Sequence, residues 1–305
     1  MEAIELLIAQ GFKPTQTIYV ASGHDEESGG ERGGAKIAEL LASRRVKLDF
    51  VMDEGMLITE GVMKGLEKPV ALIGLAEKGI TTLSLATHDE PGYSSIPPRE
   101  TAIGMLSEAL SRLEENQMPT EIDRVAEEMF NTLASEMKGA SRIFLSNLWL
   151  FKPLVKKELD KSKSSNAFTR TTTALTVFNS GSKVNVVPAH AEAFVSFRLL
   201  PGHTQEEVIR HTHDVINTTA VKVNRAGKAS EASPISASSS TSYRLVSSTI
   251  REIFPGTVVA PGLMVAATDS RYMQPIADHI YRISPGTCEG SGFVSLSRHQ
   301  QAYFY

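Results

Sequence analysis

The stretch TIYVASGHDEESGGERGG, residues 17–34, decides the fold. An apolar, β-branched run at residues 17–21 leads straight into His24-Asp25-Glu26-Glu27 and then into paired glycines, after which Ile37, Leu40 and Leu41 keep helical spacing. Strand, polar loop and helix form the repeating unit of a layered α/β domain. Ahead of this unit, Ile4, Leu7 and Ile8 share a helical face that stops at Gly11. Behind it, a short apolar strand at residues 48–52 ends in Asp53-Glu54-Gly55. The alternation predicts a largely parallel sheet. Open α/β sheets bind ligands outside the carboxyl ends of their strands, where both acidic clusters fall.

From residue 70 the texture changes. Residues 70–76 and 80–87 are β-rich and are joined by Glu77-Lys78-Gly79, which reads as a hairpin turn opening a second domain. Pro97-Pro98 precedes a helix carrying Ile103, Leu106, Leu110 and Leu113, and another helix is expected over 120–137. Strands at 169–179 and 191–199 and a helix at 204–217 complete a helix-covered antiparallel sheet. Residues 226–242, rich in Ser and Ala, read as a linker back to α/β texture. The expected division is therefore 1–73, 74–225 and 226–305.

Composition narrows the function. The 305 residues carry 31 basic and 35 acidic side chains, a net charge of −4, so no broad cationic surface offers itself to nucleic acid. The single cysteine, Cys288, cannot form an internal disulfide or a cysteine-rich zinc site, which leaves metal binding to His, Asp and Glu. No apolar run reaches a membrane-spanning length and the N-terminus lacks a basic flank, so the chain as written reads as soluble, its compartment unread.

Three acids in a row at 25–27 repel one another, and a divalent cation beside a general base is the simplest offset. The same residues also suit a solvated acidic loop ahead of a helix. Asp53 joins the first cluster if their strands are neighbours; alone, it is a turn former. Gly29-Gly30-Glu31-Arg32-Gly33-Gly34-Ala35-Lys36 looks like a phosphate loop, but Lys36 is displaced by one position and Ile37 replaces the required hydroxyl residue. No Gly-x-Ser-x-Gly turn occurs, and His211 and His213, two apart on a helix, cannot share a metal as an i, i+4 pair could. Near the C-terminus, Thr268-Asp269-Ser270-Arg271 follows a strand-like run from Val258. There Arg271 reads either as a bidentate grip on a carboxylate or as a solvated residue beside a helix cap.

In this order, several segments resemble those of the dizinc peptidases related to carboxypeptidase S, aminoacylase and the N-fatty-acyl-amino-acid hydrolases. They are Gly23-His24-Asp25-Glu26-Glu27-x-Gly-Gly, Met52-Asp53-Glu54-Gly55, Ala76-Glu77-Lys78-Gly79, Asn185-Val186-Val187-Pro188, Phe197-Arg198-Leu199-Leu200-Pro201-Gly202 and Thr268-Asp269-Ser270-Arg271. The resemblance implies a catalytic α/β domain interrupted by an α+β dimerisation, or lid, domain, two zinc ions and a homodimer. It further implies hydrolysis of the amide bond next to a free carboxylate in peptides or N-acyl amino acids. By position Glu26 matches the general base, Glu27 and Asp53 match zinc ligands, and Arg271 matches the carboxylate clamp. Asn185 and Arg198 fall on substrate- or partner-binding motifs.

The sequence also departs from the family. An early His-x-Asp segment and a metal-bridging Asp have no counterpart, and Gly92-Tyr93-Ser94-Ser95 stands where relatives carry Gly-His-Ser-Ser, leaving Tyr93 as the hydrogen-bond donor. The sequence diverges from about residue 285, where His299 is either a substitute ligand or a solvated side chain. These departures imply an N-terminally truncated catalytic domain with impaired activity. The competing reading is a non-catalytic dimerisation or carboxylate-binding module. Relatives are often vacuolar or secreted.

Overall fold

The computed structural model describes residues 2–61 and 65–289. Helix α1 (Glu2–Ala9) forms as its periodicity predicts, yet none of its residues is buried, and Leu6, Leu7 and Ile8 face outward. Residues 17–21 form no strand, contrary to expectation; Ile18, Tyr19 and Val20 are exposed. β-propensity expresses itself through neighbours, and no strand among the described residues pairs with this run. A 3-10 turn (Glu26–Ser28) and helix α2 (Gly34–Ser43) follow.

Strand β1 (Leu48–Glu60) continues through Asp53-Glu54-Gly55, where the sequence had placed its end. Its register slips between Asp53 and Met56, so the acidic pair sits on a bulge in mid-strand. Strands β2 (Val70–Glu77) and β3 (Gly79–His88) are separated only by Lys78 but belong to different sheets, which overturns the expected hairpin. The burial pattern explains why. Every residue of β2 is buried, as in a strand covered on both faces, whereas β3 alternates buried and half-buried positions, as in a sheet covered mainly on one. Gly79 lets the returning backbone at 230–232 pass close by, because a Cβ on it would lie 2.5 Å from the Ala232 nitrogen.

The remaining elements in order are β4 (Gly92–Tyr93), α3 (Ala102–Glu115), α4 (Arg124–Ala134), α5 (Gly139–Ser146), α6 (Leu148–Leu159), α7 (Lys163–Thr169), β5 (Thr172–Ser180), β6 (Val186–Val187), β7 (His190–Leu199), α8 (Gln205–Ile216), β8 (Lys222–Ser230), α9 (Thr241–Ile253), β9 (Val258–Met264) and β10 (Ala277–Glu289). The linker expected over 226–242 is shorter, since β8 runs to Ser230 and α9 starts at Thr241. The helix expected over 120–137 is confined to α4, with Asp123 as its cap accepting from the Ala126 N–H at 2.8 Å.

The first sheet has the order β1-β10-β2-β9. β1 with β10 and β2 with β9 are parallel, while β10 and β2 run antiparallel, so the sheet is mixed rather than largely parallel. One face packs Leu72, Ala76, Val258, Ala260 and Leu263 against α4 through α7. The other packs Ile73, Leu75, Val259 and Tyr281 against α9, and α2 closes over Ile280 through Ala38 and Leu41. The second sheet, β5-β7-β3-β8, is antiparallel throughout, and α3 and α8 cover it with Leu106, Leu110, Leu113, Val208 and Ile216. Each such large apolar side chain contributes roughly 1.5–3 kcal/mol on burial. The fold is thus mixed α/β, with one α/β and one α+β half joined at Lys78. Among the described residues no helix is long and apolar enough to cross a membrane.

Candidate functional site

Three segments far apart in sequence meet at the bulge of β1: the loop after residue 23, Asp53-Glu54, and a second 3-10 turn (Asp269–Met273) that follows β9. Asp25 organises the first. Its carboxylate accepts from the Arg32 and Gly33 N–H groups, each at 2.8 Å, and these bonds, Arg32 foremost, hold its pKa below the ordinary value. Asp25 is thereby a latch on its own loop. Gly29 and Gly30, with φ of 112° and 71°, provide the left-handed backbone that the loop requires.

The glycine-rich run has a different use from phosphate binding: it makes room for Asp269. A Cβ on Gly34 would stand 2.5 Å from an Asp269 carboxylate oxygen, and one on Gly30 would stand 2.7 Å from the Asp269 Cβ. Asp53 ties the second and third segments, its Oδ1 accepting from Glu54 N–H at 2.8 Å and its Oδ2 from Ser270 N–H at 3.3 Å.

Electrostatics report how closely the acids approach. Glu26 is pushed up to about 7, first by burial and then by the charges of Glu54, Glu27, Asp269 and Asp53. Burial also raises Glu54, reinforced by Asp53, Glu27 and Asp269, and burial with Asp53 raises Asp269. Five carboxylates therefore share one field. Glu54 and Asp269 were not singled out from sequence; Glu54 looked like part of a turn and Asp269 like a cap, and only tertiary approach distinguishes them.

Arg271 lies against this cluster. Its Nη2 donates to the Gly29 carbonyl at 2.7 Å, and its guanidinium sits 5.0 Å from the Tyr272 ring centroid, while the Tyr272 hydroxyl donates to the same carbonyl at 2.7 Å. Among the described residues its Nε and Nη1 have no acceptor, which leaves donors for a ligand carboxylate. From the second sheet, Lys228 pairs with Glu31 at 2.7 Å, so β8 touches the acidic loop directly.

Tyr93 and Asn185 come together elsewhere: Tyr93 pairs with Val186 between β4 and β6, and Ser94 N–H donates to the Asn185 carbonyl at 3.2 Å. Both side chains are exposed. Half-buried Arg198 on β7 makes no hydrogen bond or ion pair among the described residues, and its charge acts on Lys78. None of these three joins the hydrogen bonds of the acid cluster. His299 lies outside the described residues, as does the Cys288 side chain.

Behind the cluster runs a buried polar path that sequence reasoning missed. Arg282 on β10 pairs with Glu77 at 3.1 Å, both nearly inaccessible at 1% and 4%. Glu77 Oε2 accepts from Thr268 N–H at 3.0 Å, the Thr268 hydroxyl lies 2.5 Å from that of Ser270, and Ser270 N–H reaches Asp53. Arg282 is also the register partner of Asp53. Next to Glu77, Lys78 donates to the Ala167 and Arg170 carbonyls at 3.1 and 2.6 Å, and burial, with Arg198, pushes its pKa down to about 7. The advance signals were a charged pair, Glu77-Lys78, between two apolar strands and its place in a segment that resembles those of the dizinc peptidases.

A divalent metal suits the carboxylate chemistry but not yet the geometry. Among the described residues no three His, Cys, Asp or Glu side chains converge as ligands of one ion do. What the residues present do supply is a half-buried carboxyl, Glu26, pushed up to about 7, and, near Asp269 of the same cluster, an arginine with free donors.

A family profile described as the peptidase dimerisation domain of the M20 peptidases matches residues 75–224. N-fatty-acyl-amino acid synthase/hydrolase PM20D1.1 of Danio rerio is 43% identical over 288 residues, which cover 93% of this chain and 56% of that protein. Probable carboxypeptidase S-like 2 of Dictyostelium discoideum is 40% identical, over 97% of this chain and 57% of its own length. Among solved structures, the M20 family metallo-carboxypeptidase Sso-CP2 from Sulfolobus solfataricus shares the fold, with a TM-score of 0.56 at 17% identity over 85% of this chain and 60% of that one. The chain thus spans little more than half the length of the relatives it matches. Over nearly all of its length the chain is similar to proteins related to the M20 peptidases, and residues 75–224 match the peptidase dimerisation domain of that family.

Proposed function

We propose that this chain is part of an amidohydrolase that cleaves the bond next to a free carboxylate in peptides or N-acyl amino acids. The observation that carries the reading is the meeting of Glu26, Asp53, Asp269 and Arg271 from three distant segments. In this reading Arg271 holds the substrate carboxylate through Nε and Nη1. Glu26 takes a proton from the attacking water and returns it to the leaving amine, a role that suits a carboxyl titrating near 7. The names of the relatives support both halves of the substrate class.

In this reading Glu27 and Asp53 would each supply one carboxylate to a zinc-binding set whose other ligands are not brought together among the described residues. Two carboxylates hold zinc far less firmly than three or four ligands in fixed geometry, so slow or absent turnover is the expectation for the 305-residue chain by itself. The proposed division is a catalytic part at 1–73 and 226–305 with a dimerisation domain at 74–225, and the assembly is a homodimer. Substrate recognition is open to test without turnover. Calorimetric titration with an N-acyl amino acid should give a Kd that weakens about 10- to 100-fold in Arg271→Ala, the loss of charge-assisted hydrogen bonds of roughly 1.5–3 kcal/mol. An unchanged Kd would contradict the reading.

A further inference from the structure

Helices α5 and α6 turn an unusual face outward. Trp149 is 81% exposed, Leu150 56% and Leu154 50% on α6, and Ile143 on α5 is 59% exposed. Helical spacing places Trp149, Leu150, Pro153, Leu154 and Lys157 on one side of α6. The other side is fixed, with Leu148 and Val155 buried and Phe151 packed edge-on to Phe144 at 5.1 Å. The outward face is therefore held rigidly and is not a frayed end.

Charge sets this segment apart from the rest of the chain. Residues 139–163 contain Arg142, Lys152, Lys156, Lys157, Lys161 and Lys163 against Glu158 and Asp160, so six positive minus two negative leaves +4 in a chain whose total is −4. Asp160 is paired with Arg170, and Glu158 with Lys161. Among the described residues Arg142, Lys152, Lys156 and Lys157 have no ion pair. A tryptophan and two leucines flanked by unpaired lysines match an anionic lipid surface, where the indole sits at headgroup depth, the leucines enter the acyl boundary and the lysines reach lipid phosphates and carboxylates. A second copy of the chain fits poorly, because a two-fold contact would press the positive patch against itself.

We propose that the outer face of α6 docks this protein onto an anionic lipid surface. Docking would bring the chain to the phase in which amphiphilic N-acyl amino acids collect; that consequence rests on the proposed function, whereas the docking does not. Trp149 is the only tryptophan of the chain and reports on its own surroundings. With vesicles of phosphatidylcholine containing about a third phosphatidylserine, its emission should shift to the blue and the protein should float with the vesicles. Pure phosphatidylcholine or high salt should suppress both.

Leu150→Asp/Leu154→Asp should abolish flotation, and Lys152→Glu/Lys156→Glu/Lys157→Glu should weaken partitioning about tenfold or more. All five positions lie outside the core, and far-UV circular dichroism checks each variant. No emission change and no flotation by the native chain would overturn the proposal, as would undiminished flotation of the double aspartate variant. A blue shift that grows with protein concentration alone would assign the face to self-association instead. A shift produced by polyglutamate but not by vesicles would assign it to an acidic protein partner. Neither hydrolysis nor Arg271 enters any of these readouts, so docking and the proposed activity fail independently.

Discussion

Asp25 and Glu26 are adjacent and chemically alike, yet their carboxyls are driven in opposite directions. Backbone N–H groups lower the first, whereas burial and neighbouring acids raise the second. Adjacent identity thus says little about role; partners decide it. The same logic governs Arg282, whose guanidinium is buried against Glu77. Removing one partner of a buried pair strands the other charge, so Arg282→Met should destabilise the protein by about 3–5 kcal/mol, read as a lowered urea midpoint. A cost below about 1 kcal/mol would mean that the pair is dispensable. At this scale the sequence offered Glu26, Glu27, Asp53 and Arg271, because acid runs and a Thr-Asp-Ser-Arg junction are visible locally. It could not offer Glu54, Asp269, Glu77 or Arg282, whose meaning arises only when β1, β2, β10 and the turn after β9 approach one another.

Elements with one apolar face read well. Helix α3 keeps Leu106, Leu110 and Leu113 inward, α8 carries a full capping box between Thr204 and Glu207, and β7 alternates along its length. Misreadings came where burial departs from periodicity. Residues 17–21 have strand chemistry without a partner, β1 passes through its own apparent terminator on a bulge, and α5 to α7 were overlooked because α6 shows Trp149 and Leu154 to solvent. The glycine run before α2 misled differently, since it serves a side chain and not a phosphate. Gly34→Ala tests this directly. The added Cβ would meet the Asp269 side chain, 2.5 Å from its carboxylate oxygen and 2.9 Å from its Cβ, so stability should fall by roughly 1–3 kcal/mol, as for overpacking, despite the helix preference of alanine. A stabilised variant would show that Asp269 does not occupy the cradle.

Across the whole molecule, one residue, Lys78, separates two sheets of different construction, and Lys228–Glu31 and the Glu77–Arg282 path are the polar links between the second sheet, the junction and the acid cluster. Sequence patterns exposed the two halves but not the abrupt crossing, since Glu77-Lys78-Gly79 has the composition of a hairpin. If residues 75–224 pair chains as the dimerisation domains of relatives do, sedimentation equilibrium of the 305-residue chain should return twice the 33.1 kDa monomer mass. A monomer at tens of micromolar would count against the homodimer. A dimer that binds N-acyl amino acids without cleaving them would favour a binding module.

The account depends most on Glu26, Asp53, Glu54 and Asp269 sharing one field. Because the folded-state pKa of Glu26 is raised, the native state holds its proton more tightly than the unfolded chain does. Glu26 therefore opposes folding increasingly as pH climbs from 4.5 to about 7, and Glu26→Gln should remove that dependence. The direct measurement is a carboxyl-carbon NMR titration of Glu26 in the native chain and in Asp53→Asn/Glu54→Gln. A midpoint near 7 that drops toward 4.5 in the double variant is the predicted result. A native midpoint near 4.5, indifferent to both substitutions, would contradict it.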